Sequence, residues 1–287
     1  GREISLSPPA APELPSNGFS EGTAGFLAPA ADGSKISVAV APTSDRLQVL
    51  APFARWDGKD FGKLPVLLRA SGKCTTDHIS PAGPWLKYRG HLDKISDNMF
   101  LGAVNAFTNE PGKCKNTITG AVGTPSETAR AYKAAGLRWI AVGDANYGEG
   151  SSREHAAMSP RFLGCAAVIT RSFARIHETN LKKQGILPFT FDAAADYERI
   201  RDGDRVSITG LTSLAPGKVV SATIHHATGG DEKIALQHTL NAEQIAWFRA
   251  GSSLNVLSAA PRASTPKKAA KAAARKPGKK SAKKVVR

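Results

Sequence analysis

The sequence predicts a mixed α/β domain over residues 51–257, and three observations support that prediction. Between residues 137 and 191, short apolar runs typical of buried strands alternate with helical segments. Three segments between residues 204 and 239 alternate apolar and polar side chains, as antiparallel strands do. No internal repeat divides this region. An α/β middle followed by a β-rich end predicts a mixed sheet flanked by helices.

The two ends of the chain differ in composition from this domain. Residues 1–50 are rich in Pro, Gly, Ser and Ala, which predicts an extended linker without its own core. Residues 258–287 are rich in Lys, Ala and Pro, which predicts a disordered tail. Of the net charge of +15, eleven charges lie after Pro261, which leaves four on residues 1–260. The tail has no interleaved aromatic residues, so we expect any nucleic-acid contact to be weak, electrostatic and blind to sequence.

The first elements of the domain follow from apolar runs and breakers. Leu64 to Ser71 is predicted as a strand, and the polar stretch 72–80 as a loop. Residues 97–106 are predicted to be helical with Asp97 as the cap. Residues 107–124 contain Asn, Pro and several Gly residues, which predicts a loop.

The next helix has the clearest boundaries in the sequence. Thr124 suits the cap position, Pro125 suits the first turn and Gly136 ends the helix. The apolar residues 137–142 follow as a predicted strand. The remaining predicted strands are 166–170, 187–191, 204–209, 219–225 and 233–239, and the remaining predicted helices are 151–163, 172–183 and 241–249.

The stretch from Gly143 to His155, GDANYGEGSSREH, leads from a predicted strand into a helix predicted to begin at Ser151. Ser151 with Glu154 three residues later matches a capping box, which is a common structural pattern. A helix N-terminus also attracts anions, and Arg153 can hold a carboxylate through two parallel hydrogen bonds. The two interpretations are compatible, and the pattern taken alone is at least as typical of the structural one.

Outside this stretch, the local pattern favours structural roles for most polar residues. Asp77 lies in a polar segment where aspartate is most often a turn former, and Arg89 is most often a surface charge. The seven histidines form neither an H-x-H nor an H-E-x-x-H motif, so we interpret them as structural or solvent-facing. No histidine and aspartate accompany Ser151 at the spacing of a hydrolase triad.

Cysteine spacing and hydropathy exclude several classes of protein. Cys74, Cys114 and Cys165 are widely spaced and form no C-x-x-C motif, which argues against a zinc ribbon or a self-contained iron–sulfur motif. Free thiols in a reducing compartment are the simplest interpretation. No apolar run approaches the roughly 18 residues that a membrane helix needs, so no membrane contact is predicted. The first residue is Gly1 and not Met, which favours a fragment or a processed product.

Four motifs resemble a known family. They are GKCTTDHIS at 72–80, GPWLKYRGHL at 83–92, the stretch from Gly143 to His155, and RSFARIHETNLKKQG at 171–185. Together they closely resemble the C-terminal swivelling domain of the aconitase family of mitochondrial type, and the likeness covers most of residues 12–256. Residues 42–60 are similar to the linker that precedes this domain in the family.

This resemblance implies an aconitase-type swivelling domain with β/β/α layers. It implies a hydro-lyase of the tricarboxylic acid cycle that interconverts citrate and isocitrate through cis-aconitate at a [4Fe–4S] cluster. In the family the cluster ligands lie on preceding domains, which this chain lacks, so we expect it alone to bind no cluster and to turn over no substrate. The implied compartment is the mitochondrial matrix, with the cytoplasm as the alternative.

The resemblance also assigns roles to individual residues. Ser151 is similar to the serine that acts as a base on the substrate carbon, and Asp77 to the active-site aspartate. Ser152 and Arg153 match ligands of one substrate carboxylate, and Arg89 matches the arginine that recognises a second one. No residue of this chain is implied as a metal ligand.

Two other functions remain as alternatives. The first is a swivel domain retained as a non-catalytic binding or scaffold protein, whose basic tail docks to nucleic acid or a ribosome. The second is the separate small subunit of an isopropylmalate-isomerase-like enzyme. The sequences of the motifs, which are of the aconitase type, and the long linker argue against this second alternative.

Overall fold

The computed structural model describes residues 3–7, 25 and 27–259. Its contacts divide the chain into one unit at Gly1–Ala41 and a second at Pro42–Arg287. The described residues of the first unit are exposed, apart from the half-buried Val40, and they form no helix or strand. The predicted boundary between linker and domain at residue 51 stays a prediction, and the predicted disordered tail falls almost wholly outside the described residues. None of the helices in the described ranges is long and apolar enough to cross a membrane.

Seven strands of the second unit form a single sheet. They are β1 (Phe61–Arg69), β2 (Trp139–Gly143), β3 (Cys165–Thr170), β4 (Leu187–Phe191), β5 (Arg205–Thr209), β6 (Val220–His225) and β7 (Asp231–Gln237). The helices are α1 (Thr76–Ile79), α2 (Leu92–Ile95), α3 (Pro125–Ala134), α4 (His155–Phe162), α5 (Arg175–Lys183), α6 (Ala242–Ala250) and α7 (Ser253–Ala259). The predicted strands and the predicted helices α3, α5 and α6 are therefore confirmed, within a few residues at their ends.

The sheet closes into a barrel with the strand order β1-β2-β3-β4-β7-β6-β5. Strands β1 to β4 run parallel, and the other pairs are antiparallel. Closure comes from β1 and β5, where Leu64 lies opposite Val206. The pairing register of β1 and β5 shifts beside Lys63, whose φ is +46°. This irregularity is a β-bulge, and a bulge bends its strand, here β1 towards β5. The mixed α/β class is confirmed, and barrel closure is an addition that the layered expectation did not contain.

The core lies in two clusters on the two faces of the parallel strands. On β2, Ile140 and Val142 belong to the cluster inside the barrel. Trp139 and Ala141 belong to the second cluster, together with Tyr132 from α3. Because alternate side chains of a strand face opposite sides, a strand covered on both faces is apolar throughout. This arrangement explains the unbroken apolar run that predicted β2.

The helix predicted at 97–106 is wrong. The chain instead forms α2, in which the His91 side chain accepts a hydrogen bond from the Lys94 amide, followed by a 3-10 turn at Ser96–Asn98. Phe100 has a φ of +61°, a left-handed conformation that a helix cannot contain. The side chain of Asn98 is buried and donates to the Pro81 carbonyl, so this polar residue fixes a turn and does not face solvent.

Two segments predicted as loops contain further regular structure. The stretch 72–80 contains α1. Thr75 and His78 cap the N-terminus of this helix with a reciprocal capping box. The stretch 107–124 contains short strands, with Glu110–Pro111 paired to Val104–Asn105 and Cys114–Lys115 paired to Val122–Gly123. Elements of two to four residues have no hydrophobic period that a sequence pattern can detect.

Candidate active site

The candidate site forms where the segments after β1 and β2 meet. Because these two strands are parallel neighbours, their carboxyl ends lie at the same end of the barrel. The Gly148 amide donates to the Cys74 carbonyl at 2.7 Å, and the Thr76 amide donates to the Glu149 carbonyl at 2.8 Å. The Thr76 hydroxyl donates to the Ser151 carbonyl at 2.8 Å. These bonds hold the backbone of Ser151 against α1.

The capping box predicted at Ser151 and Glu154 is wrong. Helix α4 begins at His155, Glu154 occupies the cap position, and no side chain caps the helix. The Ser151 carbonyl accepts from the Thr76 hydroxyl and from the Arg153 amide at 2.8 Å, which holds this segment in a turn outside the helix. Within the described residues, the exposed hydroxyl of Ser151 has no hydrogen-bond partner. Its hydroxyl is therefore not engaged in helix capping.

Arg153 connects the two segments of the site. Its Nη1 donates to the Asp77 carboxylate and, at 2.8 Å, to the Ser80 carbonyl. The hydrogen bond from Arg153 is the main cause that lowers the pKa of Asp77 below its usual value of 3.8. The Asp77 side chain is 61% exposed, so solvent screens the pair and its contribution to stability is small. Its structural effect is to fix the direction of the guanidinium.

Three of the five predicted site residues, Arg89, Ser152 and Arg153, line one open cleft of about 520 Å³. Asp77 contacts this cleft through Arg153, and Ser151 adjoins it in the chain without lining it. The ring Nε2 of His155 lies 3.0 Å from the Arg89 carbonyl, which ties the start of α4 to the segment that carries Arg89. The structure thus brings the predicted residues together at one end of the barrel, although they come from two segments that are far apart in the sequence.

Comparison with known proteins identifies the family. Residues 64–194 match the model of the aconitase C-terminal domain. The chain contains an aconitase C-terminal domain. The resemblance seen in the sequence motifs is therefore confirmed.

The curated relatives of this aconitase domain are longer proteins than this chain. The chain is 57% identical over 255 residues to the mitochondrial aconitate hydratase of Gracilaria gracilis, covering 89% of this chain and 33% of the relative. It is 54% identical over 259 residues to the mitochondrial aconitate hydratase of Saccharomyces cerevisiae, covering 90% of this chain and 33% of the relative. The chain thus spans about a third of the length of these curated relatives.

Among solved structures, a 3-isopropylmalate dehydratase from Methanocaldococcus jannaschii is similar at 26% identity and a TM-score of 0.44. The likeness covers 65% of this chain and 87% of that one.

The aconitase domain adds residues to the cleft that sequence reasoning missed. Ile176, Asn180 and Lys183 line it from one face of α5, at helical spacings of four and three residues. His155, which the sequence suggested was structural or solvent-facing, lines it as well. The motif at 171–185 marked α5 as part of the family pattern, but which face of the helix lines the cleft depends on the packing of α5 in the fold. Lys183 adds a third cationic side chain to those of Arg89 and Arg153.

A buried histidine supports the turn that leads to Ser151. His177 is fully buried against Gly148, and its ring lies 5.4 Å from that of Tyr147. Gly148 has a φ of +82°, and a Cβ at this position would collide with the His177 ring. Neither ring nitrogen has a partner in the described part of the chain, and burial lowers the pKa of His177 to about 4. The turn therefore rests on a neutral imidazole.

The cysteines of this aconitase domain do not suit an iron–sulfur cluster. Cys74, Cys114 and Cys165 are buried, and burial raises their pKa values to about 12, 11 and 12. A cluster is held by thiolates, which such environments disfavour. In the described ranges, no three His, Cys, Asp or Glu side chains come together in a group that could hold a metal ion.

Proposed function

We propose that this chain is the C-terminal part of an aconitate hydratase, a hydro-lyase that interconverts citrate and isocitrate through cis-aconitate. The main support is that Arg89, Ser152 and Arg153 line one cleft beside Ser151, in a chain 57% identical to a mitochondrial aconitate hydratase over 255 residues. A tricarboxylate requires several cationic groups, and guanidinium groups bind carboxylates through paired hydrogen bonds. The cleft therefore suits this class of substrate.

In the proposed reaction, Arg89 holds one carboxylate and Arg153 holds a second, assisted by the Ser152 hydroxyl. Asp77 keeps Arg153 in place. Ser151 removes the proton next to a substrate carboxylate, and the nearby positive charge of Arg153 stabilises the serine oxygen as it becomes a base. The backbone bond from Thr76 limits the movement of Ser151 during this transfer.

The chain requires a partner for this reaction. The [4Fe–4S] cluster of this family finds no suitable ligands among the described residues. We therefore assign to this chain only the binding of carboxylates and the handling of the proton, and we assign the cluster to the N-terminal domains of the whole enzyme. The names of the relatives support a mitochondrial location, and we assign the chain to the matrix as part of this proposal.

The comparisons give no support to the alternative of a scaffold protein. Its basic tail after Pro261 lies outside the described residues. The likeness to a dehydratase among solved structures does not favour the isopropylmalate alternative, because the relatives with the higher identity are named aconitate hydratases.

Reconstitution tests the proposed function. The chain is mixed with the cluster-loaded N-terminal part of a mitochondrial relative, and hydration of cis-aconitate is followed. Because a positioned base contributes about 100-fold or more, Ser151→Ala is expected to lower kcat by at least that factor with little change in KM. Ser221→Ala, on an exposed strand position remote from the cleft, is the matched control. Unchanged activity in Ser151→Ala would rule out the role assigned to that serine.

A further inference from the structure

A second basic cleft, of about 410 Å³, lies at the opposite end of the parallel strands. Arg138, which lines it, directly precedes β2, and Phe61, which also lines it, begins β1. The candidate active site follows the other ends of these same strands, at Arg69 and Gly143. The length of the strands therefore separates the two clefts.

Positive charge exceeds negative charge in this second cleft. Its ionisable lining residues are Arg55, Asp57, Asp60, Lys63, Arg138 and Arg161. Both acids already accept backbone hydrogen bonds, Asp60 from Gly210 at 2.9 Å and Leu211 at 2.8 Å, and Asp57 from Lys59 at 3.0 Å. Four cationic groups and two carboxylates thus line the cleft, which leaves an excess of two positive charges.

Arg161 is held rigidly at the cleft. Its Nε donates to the Gln184 carbonyl at 3.0 Å, and its Nη2 donates to the carbonyls of Ala54 at 3.0 Å and Gly251 at 3.3 Å. Its Nη1 has no hydrogen-bond partner among residues 27–259. The guanidinium is therefore oriented by neutral carbonyls and carries a donor that remains available.

The guanidinium of Arg138 makes fewer and longer hydrogen bonds than that of Arg161. Its guanidinium lies over the Phe61 ring at 4.6 Å from the centroid, and Nη2 makes one long contact of 3.5 Å to the Cys165 carbonyl. Neither Arg138 nor Arg161 forms a salt bridge within the described part of the chain. Arg138 lines the cleft, and most of its donors have no hydrogen-bond partner in the described part of the chain.

Burial acts on both guanidinium groups in the same direction. It lowers the pKa of Arg161 to about 10, and the nearby charge of Arg138 lowers it further. Burial also lowers the pKa of Arg138 from its usual value. The two like charges are partly desolvated and close together, and the charge of Asp57 offsets only part of this effect at Arg138, so a bound anion would reduce their repulsion further.

We propose that Arg138 and Arg161 form a binding site for a compact oxyanion, either inorganic phosphate or a small carboxylate. Two guanidinium edges match the oxygens of either ligand through charge-assisted hydrogen bonds. This site is separate from the candidate active site and does not depend on the proposed function.

Titration calorimetry of the full 287-residue chain at low ionic strength tests the proposal, with inorganic phosphate in one arm and acetate in the other. Saturable binding in either arm that Arg138→Gln weakens supports the site, and the tighter arm identifies the ligand chemistry. Loss of a charge-assisted pair of hydrogen bonds in Arg138→Gln is expected to weaken binding about tenfold or more. Arg201→Gln removes the same charge from an exposed position outside the cleft and is expected to bind normally.

Two further variants keep the outcome decisive. Arg138→Met keeps a long unbranched side chain that can still pack on Phe61 without the guanidinium, and it replaces Arg138→Gln if that variant does not fold. Arg153→Gln removes an arginine of the candidate active site and is expected to leave this binding unchanged. The proposal is overturned if neither anion binds, if Arg201→Gln weakens binding as much as Arg138→Gln, or if the Arg153 variant alone abolishes it.

Discussion

At the scale of single residues, His177 supports the fold at neutral pH and destabilises it at acidic pH. It fills the space beneath Gly148 as a neutral ring, and no described residue accepts a hydrogen bond from either nitrogen. A proton on this ring would place an unpaired charge in the core, which explains why its pKa falls to about 4. The turn that carries Ser151 therefore depends on the uncharged form.

This histidine makes the stability of the domain depend on pH. Its pKa is about 4 in the folded chain against a usual value of 6.5, so below pH 6.5 the unfolded state binds more protons. The free energy of unfolding is expected to fall as the pH drops from 6.5 to 4, by about 3 kcal/mol in total from this residue. Urea denaturation across this range measures the effect.

The variant His177→Gln provides the comparison. Loss of the ring lowers stability at every pH, whereas loss of the titrating group flattens the dependence on pH between 6.5 and 4. The slope is therefore the informative quantity. An unchanged slope in the variant would show that His177 does not carry this dependence.

Sequence reasoning at the residue scale succeeded in part. The family resemblance selected Asp77 and Arg153, but their pairing depends on a contact between residues 76 apart in the chain, which no local pattern encodes. The serine at 151 matched a cap by spacing, and it failed as a cap because Thr76 competes for its backbone. Local rules assume that a backbone has only local partners.

At the scale of elements, the capping of α3 shows when those rules succeed. The Thr124 hydroxyl accepts from the Glu127 amide, and the Glu127 carboxylate accepts from the Thr124 amide. No distant segment competes for these groups. The sequence therefore predicted both the start of this helix and the residue that caps it.

Removal of this cap has a defined cost. Thr124→Ala leaves an amide of the first turn without its partner and is expected to lower the free energy of unfolding by about 1 kcal/mol. Thr179→Ala, at an interior position of α5, is the matched control and is expected to change stability by less than about 0.5 kcal/mol. Equal losses in the two variants, measured by urea denaturation, would contradict a specific role for the cap.

At the scale of the whole molecule, burial predicts a gradient of local stability. All six residues of β3 are buried, and parallel strands flank it on both sides. None of the residues of α7 is buried. Amide protons of β3 are expected to exchange only on global unfolding, whereas those of α7 exchange through local opening.

Hydrogen exchange with mass spectrometry measures this gradient. Raising urea to a concentration below the unfolding transition is expected to accelerate exchange in β3, because it promotes global unfolding, and to affect α7 little. Similar protection in the two segments would contradict the expected order.

The overall architecture was predictable only in class. Buried apolar runs identified the parallel strands, and alternating residues identified β5, β6 and β7. Barrel closure depends on the pairing of Leu64 with Val206 and on a bulge at Lys63. No sequence pattern predicted either feature. Pairing over such separations reflects packing of the completed core and not the preferences of either segment.

Closure of the barrel also bears on how copies of this chain behave towards one another. An open sheet ends in two strands with unpaired amide and carbonyl groups, which recruit strands from other molecules and promote aggregation. In this barrel, β1 and β5 satisfy one another, and each of the seven strands has a partner on both sides. The main sheet therefore offers no template for intermolecular pairing, even at high concentrations of the chain.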